Sequence, residues 1–313
     1  MFEPEDSTLF ELLESGAFAA PVVGGSVMLD AVAVRRGLVT MRIMVLSDHI
    51  GEQLRLSEQQ LDETAANQAA WHSYYAQAQT EWETAKRAKP FWKRILAVPT
   101  EAEEAAQHHV GQAAQQVAWA DYSTQQAYGR MRQHGAGAYG EDLLAWSLSA
   151  LSDAWVMLRG YRNRRGETDS VLIGPDGVWA IEVKRRRVLL HAVGDQWWFQ
   201  NISARGNLYE SEWAVDGGGR SWPQQVGQIA HELEAWLTRQ GHQIAVHTAV
   251  MLMHEHAQLV EVANPAVDFV GTHPHLLLNT IRHLSSHLTP GDCAEIARLV
   301  ERDHRFHANR RRR

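Results

Sequence analysis

A chain of 313 residues, 45% hydrophobic and 21% charged, carries enough apolar material for one large or two moderate folded domains. Its formal net charge of −7 excludes a uniformly basic nucleic-acid coat, so any contact with phosphates must come from local basic patches. Cys293 is the only cysteine, which rules out an intrachain disulfide and fits a reducing cytoplasm. The opening Met-Phe-Glu-Pro-Glu-Asp is not a basic-apolar leader, and the nearest candidate for a membrane helix, Val27 to Val45, is broken by Asp30, Arg35, Arg36 and Arg42. The expectation is a soluble, cytoplasmic protein.

The first predicted element is a short helix over residues 7 to 18, capped by Ser7. Ser26 to Ser47 fits either two strands around Arg35-Arg36-Gly37 or a helix, because its periodicity suits both. Residues 52 to 88 space Trp71, Tyr75, Ala78, Trp82 and Ala85 by four, three, four and three, the face of a helix packed on a partner. Pro90 ends it. Phe91 to Val98 is an apolar, basic connector closed by Pro99, and Thr100 with Glu103 is a capping-box signature. A second Ala/Gln-rich helix then runs to about Arg132 with Val110, Ala114 and Val117 on one side, which completes a long helical hairpin. At its tip Phe91, Trp92, Ile95 and Leu96 suit docking to a partner or a membrane surface, although packing on the rest of the protein is the commoner use of such side chains.

Gly135-Ala136-Gly137-Ala138 reads as a flexible joint. It divides a mostly helical region, 1–134, from an α/β domain, 135–313. The helix that begins there sets Glu141 three and seven residues before Leu144 and Leu148, on the core-facing side. Glu141 is either a functional carboxylate or a favourable charge in a first helical turn. Trp155 to Tyr161 is the first strand of the sheet, followed by the basic loop Arg162-Asn163-Arg164-Arg165.

Residues 169 to 184 carry the most information. Two β-branched apolar runs flank Gly174-Pro175-Asp176-Gly177, whose proline and final glycine suit a type I turn followed by a left-handed residue. The stretch therefore reads as two antiparallel strands. Period-two alternation puts Val178, Ala180, Glu182 and Lys184 on one face and Trp179, Ile181 and Val183 on the other. Both faces are largely apolar, so the second strand is central and buried. Asp169 returns beside Glu182 and Lys184. A buried carboxylate is costly unless paired or bound to a metal. Two carboxylates suit Mg²⁺, which takes hard oxygen ligands and phosphate oxygens, and a nearby lysine can act on a water or on phosphate charge. An ordinary Glu–Lys ion pair at a sheet edge would use the same residues.

Arg185-Arg186-Arg187 and a strand over Val188 to Val193 come next, followed by Trp197-Trp198-Phe199, which suits core packing or stacking on single-stranded bases. Arg164, Arg165, Arg185, Arg186 and Arg187 are candidate phosphate contacts, against the plain alternative of solvated loops. Ser221 caps a helix from Pro223 to Arg239, with Val226, Ile229, Leu233 and Leu237 facing inward and Gln225 at the border. A buried strand over Ile244 to Met253, a helical stretch around Leu276 to Arg302 and a basic, disordered tail, Arg305 to Arg313, complete the chain. His254-Glu255-His256 and His273-Pro274-His275 lack the partners of a zinc motif and read as scattered surface histidines.

Taken together, Gly140-Glu141, Asp169, the hairpin Leu172 to Lys184 with its Glu182-Val183-Lys184, and Pro223-Gln224-Gln225 resemble the nuclease-related domain family, NERD. The resemblance covers roughly residues 135 to 290. It implies a restriction-endonuclease-like fold with an Asp…Glu-x-Lys site: Asp169 and Glu182 as metal ligands, Lys184 as the catalytic lysine, and Glu141 as the acidic residue of the preceding helix. The family's later glutamine usually stands three residues after a proline. Here that place is Val226, and the role passes to Gln225, which keeps the apolar pattern in register.

The expected architecture is thus an N-terminal helical hairpin region and a restriction-endonuclease-like α/β domain with a mixed sheet of about five strands flanked by helices. The expected function is a Mg²⁺- or Mn²⁺-dependent nuclease acting on DNA, with Glu141 assisting Asp169 and Glu182 at the metal. The alternative is a non-catalytic nucleic-acid-binding or scaffold protein whose helical region recruits a protein partner.

Overall fold

A computed structural model describes residues 40–284 and 287–311. The expected Ser7-capped helix lies outside the described residues, as does most of Ser26 to Ser47. Of the latter, Arg42–Val45 form a short strand, β1. Helix α1 (His49–Arg87), the short α2 (Phe91–Ile95) and α3 (Glu101–Leu148) follow. Strands β2 (Val156–Asn163), β3 (Gly166–Gly174), β4 (Gly177–Lys184), β5 (Val188–Val193), β6 (Gln196–Ile202) and β7 (Leu208–Trp213) lead to α4 (Trp222–Arg239). Then come β8 (Val246–Leu252), β9 (Gln258–Ala263), β10 (Phe269–Gly271), α5 (Pro274–Arg282) and α6 (Pro290–Arg311).

The fold is mixed α/β. Among the described residues, six strands form one sheet in the order β1-β2-β3-β4-β8-β10 and four form another in the order β7-β6-β5-β9. In the first sheet β3 alone is antiparallel to its neighbours, so the carboxyl ends of β1, β2, β4, β8 and β10 share one end. The alternation read from the hairpin holds in the packing. Val178 and Ala180 join Val171 and Ile173 under Val226, Ile229 and Leu233 of α4 and Ile296 and Val300 of α6. Trp179 and Ile181 pack with Leu172 against Leu144 and Leu148 of α3 and Leu277 and Ile281 of α5. Helices therefore cover both faces of β4, which is why its run is apolar on both sides.

Several expectations are corrected. Gly135 to Ala138 are not a joint, because α3 passes through them unbroken. The reason is steric: a Cβ at Gly137 would lie 3.2 Å from Ile50 and one at Gly140 would lie 3.0 Å from the Arg185 Cβ. The glycines there allow close packing of α3 on α1 and on the end of β4. The tail from Arg305 to Arg311 is not disordered but continues α6, and the stretch Leu276 to Arg302 is two helices parted before Pro290. The connector Phe91 to Ile95 is itself a short helix, α2.

The main sheet holds six described strands rather than about five, and the second sheet was not anticipated. Its inner residues Leu190, Ala192, Trp197 and Phe199 enter the α4 side of the core, where the Phe199 ring stacks on Trp222 with centroids 5.5 Å apart. Trp197 and Phe199 are thus core residues.

The helical hairpin matches its expected faces. Ala78 of α1 is buried, and on α3 Ala113, Ala120 and Ala127 are buried at seven-residue intervals, a heptad seam of small side chains. Polar links reinforce it: Asp121 Oδ1 accepts from Gln68 at 2.7 Å and Thr124 donates to the Thr64 carbonyl at 3.1 Å. No described helix is long and apolar enough to cross a membrane.

One position tests the register of the main sheet. Gly160 of β2 has φ of +71°, and a Cβ there would meet the Ser47 carbonyl oxygen at 2.1 Å. Gly160→Ala combines backbone strain with a clash against fixed main chain. It should destabilise the protein by about 2 kcal/mol or more in chemical denaturation, and an unchanged denaturation midpoint would refute this packing of β1 on β2.

Candidate functional site

The site grows from the end of β4. Ser170 pairs with Ile181, so the next step along the ladder brings Asp169 beside Glu182. The Val183 backbone N–H donates to Asp169 Oδ2 at 2.5 Å, which pins that carboxylate against β4. Glu182 is only 2% exposed. Its Oε1 accepts from Lys184 Nζ at 2.6 Å and from Gln225 Nε2 at 2.9 Å, while Thr168 Oγ1 lies 3.5 Å from Oε2. Lys184 therefore sits on the Glu182 face of the strand, as the alternation requires.

Helix α4 supplies the amide. Ser221 caps it by accepting from the Gln224 N–H, which points Gln224 to solvent, sets Val226 into the core and turns Gln225 inward to Glu182. The Oε1 of Gln225 is buried without a hydrogen-bond partner. Glu141 arrives from α3. Arg159 of β2 forks between two carboxylates, with Nη2 3.4 Å from Glu141 Oε2 and Nη1 2.8 Å from Asp142 Oδ1. All five residues expected at the site thus meet at one end of the sheet.

Electrostatically the cluster is short of positive charge. Burial raises the Glu141 carboxyl from its ordinary 4.5 to about 7, with repulsion from Glu182 and Asp142 adding to the rise and Arg159 opposing it. Asp169 is pushed well above the usual carboxylate range, first by burial and then by Glu182 and Glu141. For Lys184 burial works against the charge, but Glu182 and Asp169 outweigh it and raise the ammonium's pKa, so it is a firm cation.

The arginines divide into two groups. Arg164 and Arg165 are exposed on the β2–β3 turn, at the same end of the sheet as Glu182, and Arg164 is tied to Glu232 at 2.5 Å. Arg185, Arg186 and Arg187 are half-buried directly after Lys184. The Arg185 guanidinium lies 4.5 Å from the Tyr139 ring centroid and reaches Glu255 at 3.5 Å. Arg186 lies over Phe199 at 5.2 Å and Trp222 at 5.9 Å. His254 and His256 follow β8 nearby with rings 5.7 Å apart, and among the described residues no group of three or more His, Cys, Asp or Glu forms a ready metal cage.

Two residues escaped the sequence reading. Arg159 orients Glu141, and Thr168 donates to the Ile181 carbonyl at 2.9 Å beside Glu182. The signal for Arg159 was its place as an arginine inside an otherwise apolar strand. Thr168 carried none, since a threonine in a strand is ordinary.

Comparison with known proteins finds one family similarity, over part of the chain. Residues 136–253 match the model of the nuclease-related domain, NERD. The family belongs to the restriction-endonuclease-like fold. The NERD match runs from the last turns of α3 to the end of β8, and so contains Glu141, Arg159, Asp169, Glu182, Lys184 and Gln225. It leaves out most of the helical hairpin and both C-terminal helices. No curated protein and no solved structure matches the chain.

The raised carboxyl groups give a pH dependence. Folding lifts the pKa of Glu141 from 4.5 to about 7, so between those values the folded protein holds a proton that the unfolded chain has released. Its contribution is fully present below about pH 4.5 and is lost as pH rises through about 7, on the order of 3 kcal/mol at most. Thermal melts without divalent cations should show Tm falling over this range, and Asp142→Asn, which removes one repelling charge, should shallow the fall. A Tm that rises across the same range would contradict the assignment.

Proposed function

We propose that the NERD domain is a divalent-cation-dependent nuclease that hydrolyses phosphodiester bonds, with DNA the favoured substrate. The observation that carries this reading is the convergence of Lys184 and Gln225 on one oxygen of the buried Glu182, with Asp169 held alongside. A structural ion pair needs neither the second carboxylate nor the inward amide.

The residues fit Mg²⁺ or Mn²⁺. Asp169 and Glu182 offer hard oxygens, Gln225 Oε1 is an unpaired buried acceptor suited to a water, and the mutual repulsion of Asp169, Glu182 and Glu141 leaves charge for a cation to neutralise. Asp169 and Glu182 would hold the ion, with Glu141 acting through water. Such an ion polarises a phosphate and lowers the pKa of a bound water.

The chain's own groups have separable roles. Lys184, held as a cation, stabilises negative charge that builds on the phosphate rather than removing a proton. Gln225 fixes the Glu182 carboxylate and directs its remaining amide oxygen to a water. Arg159 fixes Glu141. Arg186, stacked on Phe199 and Trp222, and Arg185, stacked on Tyr139, present guanidinium groups next to Lys184 for flanking phosphates, with Arg164, Arg165 and Arg187 extending the basic rim.

The test is cleavage of linear, circular and single-stranded DNA, with an RNA arm, in Mg²⁺ or Mn²⁺ and with EDTA controls. Wild type should cut only with the cation, and Glu182→Gln or Lys184→Ala should lose about 100-fold or more. Binding that persists in Lys184→Ala while even wild type never cuts would favour the scaffold reading. In binding titrations Arg186→Ala should weaken DNA affinity and lower the salt slope by about one. An unchanged slope would remove Arg186 from the interface.

A further inference from the structure

The tip of the helical hairpin has no role in the nuclease reading, and its construction is specific. Phe91 is 77% exposed, Trp92 57%, Ile95 66% and Leu96 64%, and Val98 adds to the same apolar patch. A loose loop would hide such side chains by folding back. This one is fixed. The Val98 N–H reaches the Lys93 carbonyl at 3.1 Å and the Ala97 N–H reaches the Arg94 carbonyl at 3.3 Å, a Schellman motif with Ala97 left-handed at φ of +54°. Arg94 Nε donates to the Lys89 carbonyl at 2.8 Å and its Nη2 to the Arg87 carbonyl, which clamps α2 onto the end of α1. Ala97 accepts an uncommon backbone conformation, and an arginine is used as an internal brace, to hold four large apolar side chains outward.

Charge selects the occupant. From Lys86 to Thr100 the chain has Lys86, Arg87, Lys89, Lys93 and Arg94 and no carboxylate, in a protein whose net charge is −7. Lys86 and Lys89 pair with Glu83 and Glu103, whereas Arg87 and Lys93 form no ion pair among the described residues. An apolar and aromatic crown backed by unpaired cations is the pattern that lies at the interface of an anionic bilayer. Along α3 the tip stands 40 residues from Glu141, about 60 Å of helix.

We propose that the hairpin tip, residues 86 to 98, docks on the surface of an anionic lipid membrane, with Phe91, Trp92, Ile95 and Leu96 entering the headgroup boundary and Arg87 and Lys93 facing lipid phosphates. The docking is peripheral, since α2 is a helix of five residues. The inference is independent of whether the NERD domain cuts DNA.

The experiment is flotation of the full-length protein with phosphatidylcholine vesicles, with and without phosphatidylserine. Wild type should float with the phosphatidylserine vesicles and not with phosphatidylcholine alone. The combined variant Phe91→Ser, Trp92→Ser, Ile95→Ser and Leu96→Ser should lose at least tenfold in the bound fraction. Arg87→Glu with Lys93→Glu should weaken binding comparably, while leaving the Arg94 brace intact. All six side chains lie outside the core, so unchanged circular dichroism and an unchanged Tm would verify the fold of each variant. Failure to float with either vesicle, or equal flotation of wild type and variants, would overturn the proposal. So would a tip-dependent dimer in sedimentation, or tip-dependent retention of DNA, in place of lipid binding.

Discussion

A carboxyl group at 2% exposure inside an apolar sheet needs polar partners in place of the water it has lost, and Glu182 sets that demand on everything around it. Lys184 meets part of it from the same strand, at the shortest spacing that keeps both side chains on one face. Gln225 meets another part from α4, and Thr168 stands at the second oxygen from β3. The demand is then exceeded. Asp169 and Glu141 are brought into the same low-dielectric corner, where Lys184, the Val183 N–H and the shared Arg159 do not offset burial and mutual repulsion, so both carboxyl groups are driven toward protonation. A fold selected for stability alone would place a neutral residue at one of these positions. The excess of carboxylates is the physical signature on which the functional reading rests.

The parts of this arrangement that the sequence disclosed are those governed by local periodicity. Two-residue alternation located the faces of β4 and hence the Glu182–Lys184 pair, and the apolar register of α4 chose Gln225 over Gln224 as the inward glutamine. Helices α1 and α3 followed from spacing and capping in the same way. Non-local facts were opaque. Arg159 acquires its meaning only when β2 lies beside the end of α3, and the second sheet depends on pairings between strands as distant as β5 and β9. β7 is exposed along its whole length and so left no alternating pattern to read.

Gly135 to Ala138 have the composition of a hinge and the structure of a helix crossing. Glycine lowers helix propensity by about 1 kcal/mol, which argues for a break. In α3 the cost is offset by contact: the missing Cβ atoms let Ile50 of α1 approach Gly137, and let Arg185 and Val183 at the end of β4 approach Gly140. Small residues at a helix crossing and small residues in a hinge look alike in one dimension. The difference matters here, because an unbroken α3 carries both the hairpin and Glu141.

The second sheet gives the candidate site something the Asp…Glu-x-Lys pattern does not contain. Phe199 from β6 and Trp222 from the start of α4 stack on each other and form a floor beneath Arg186, two residues after Lys184. An arginine in a surface loop must give up rotamer entropy, up to about 2 kcal/mol, to meet a phosphate. Stacked on two rings, Arg186 has already lost much of that freedom during folding. Of the aromatic residues read from the sequence as either core or base-stacking, Trp197 and Phe199 serve the core, and Phe199 with Trp222 holds a cation in place beside Lys184.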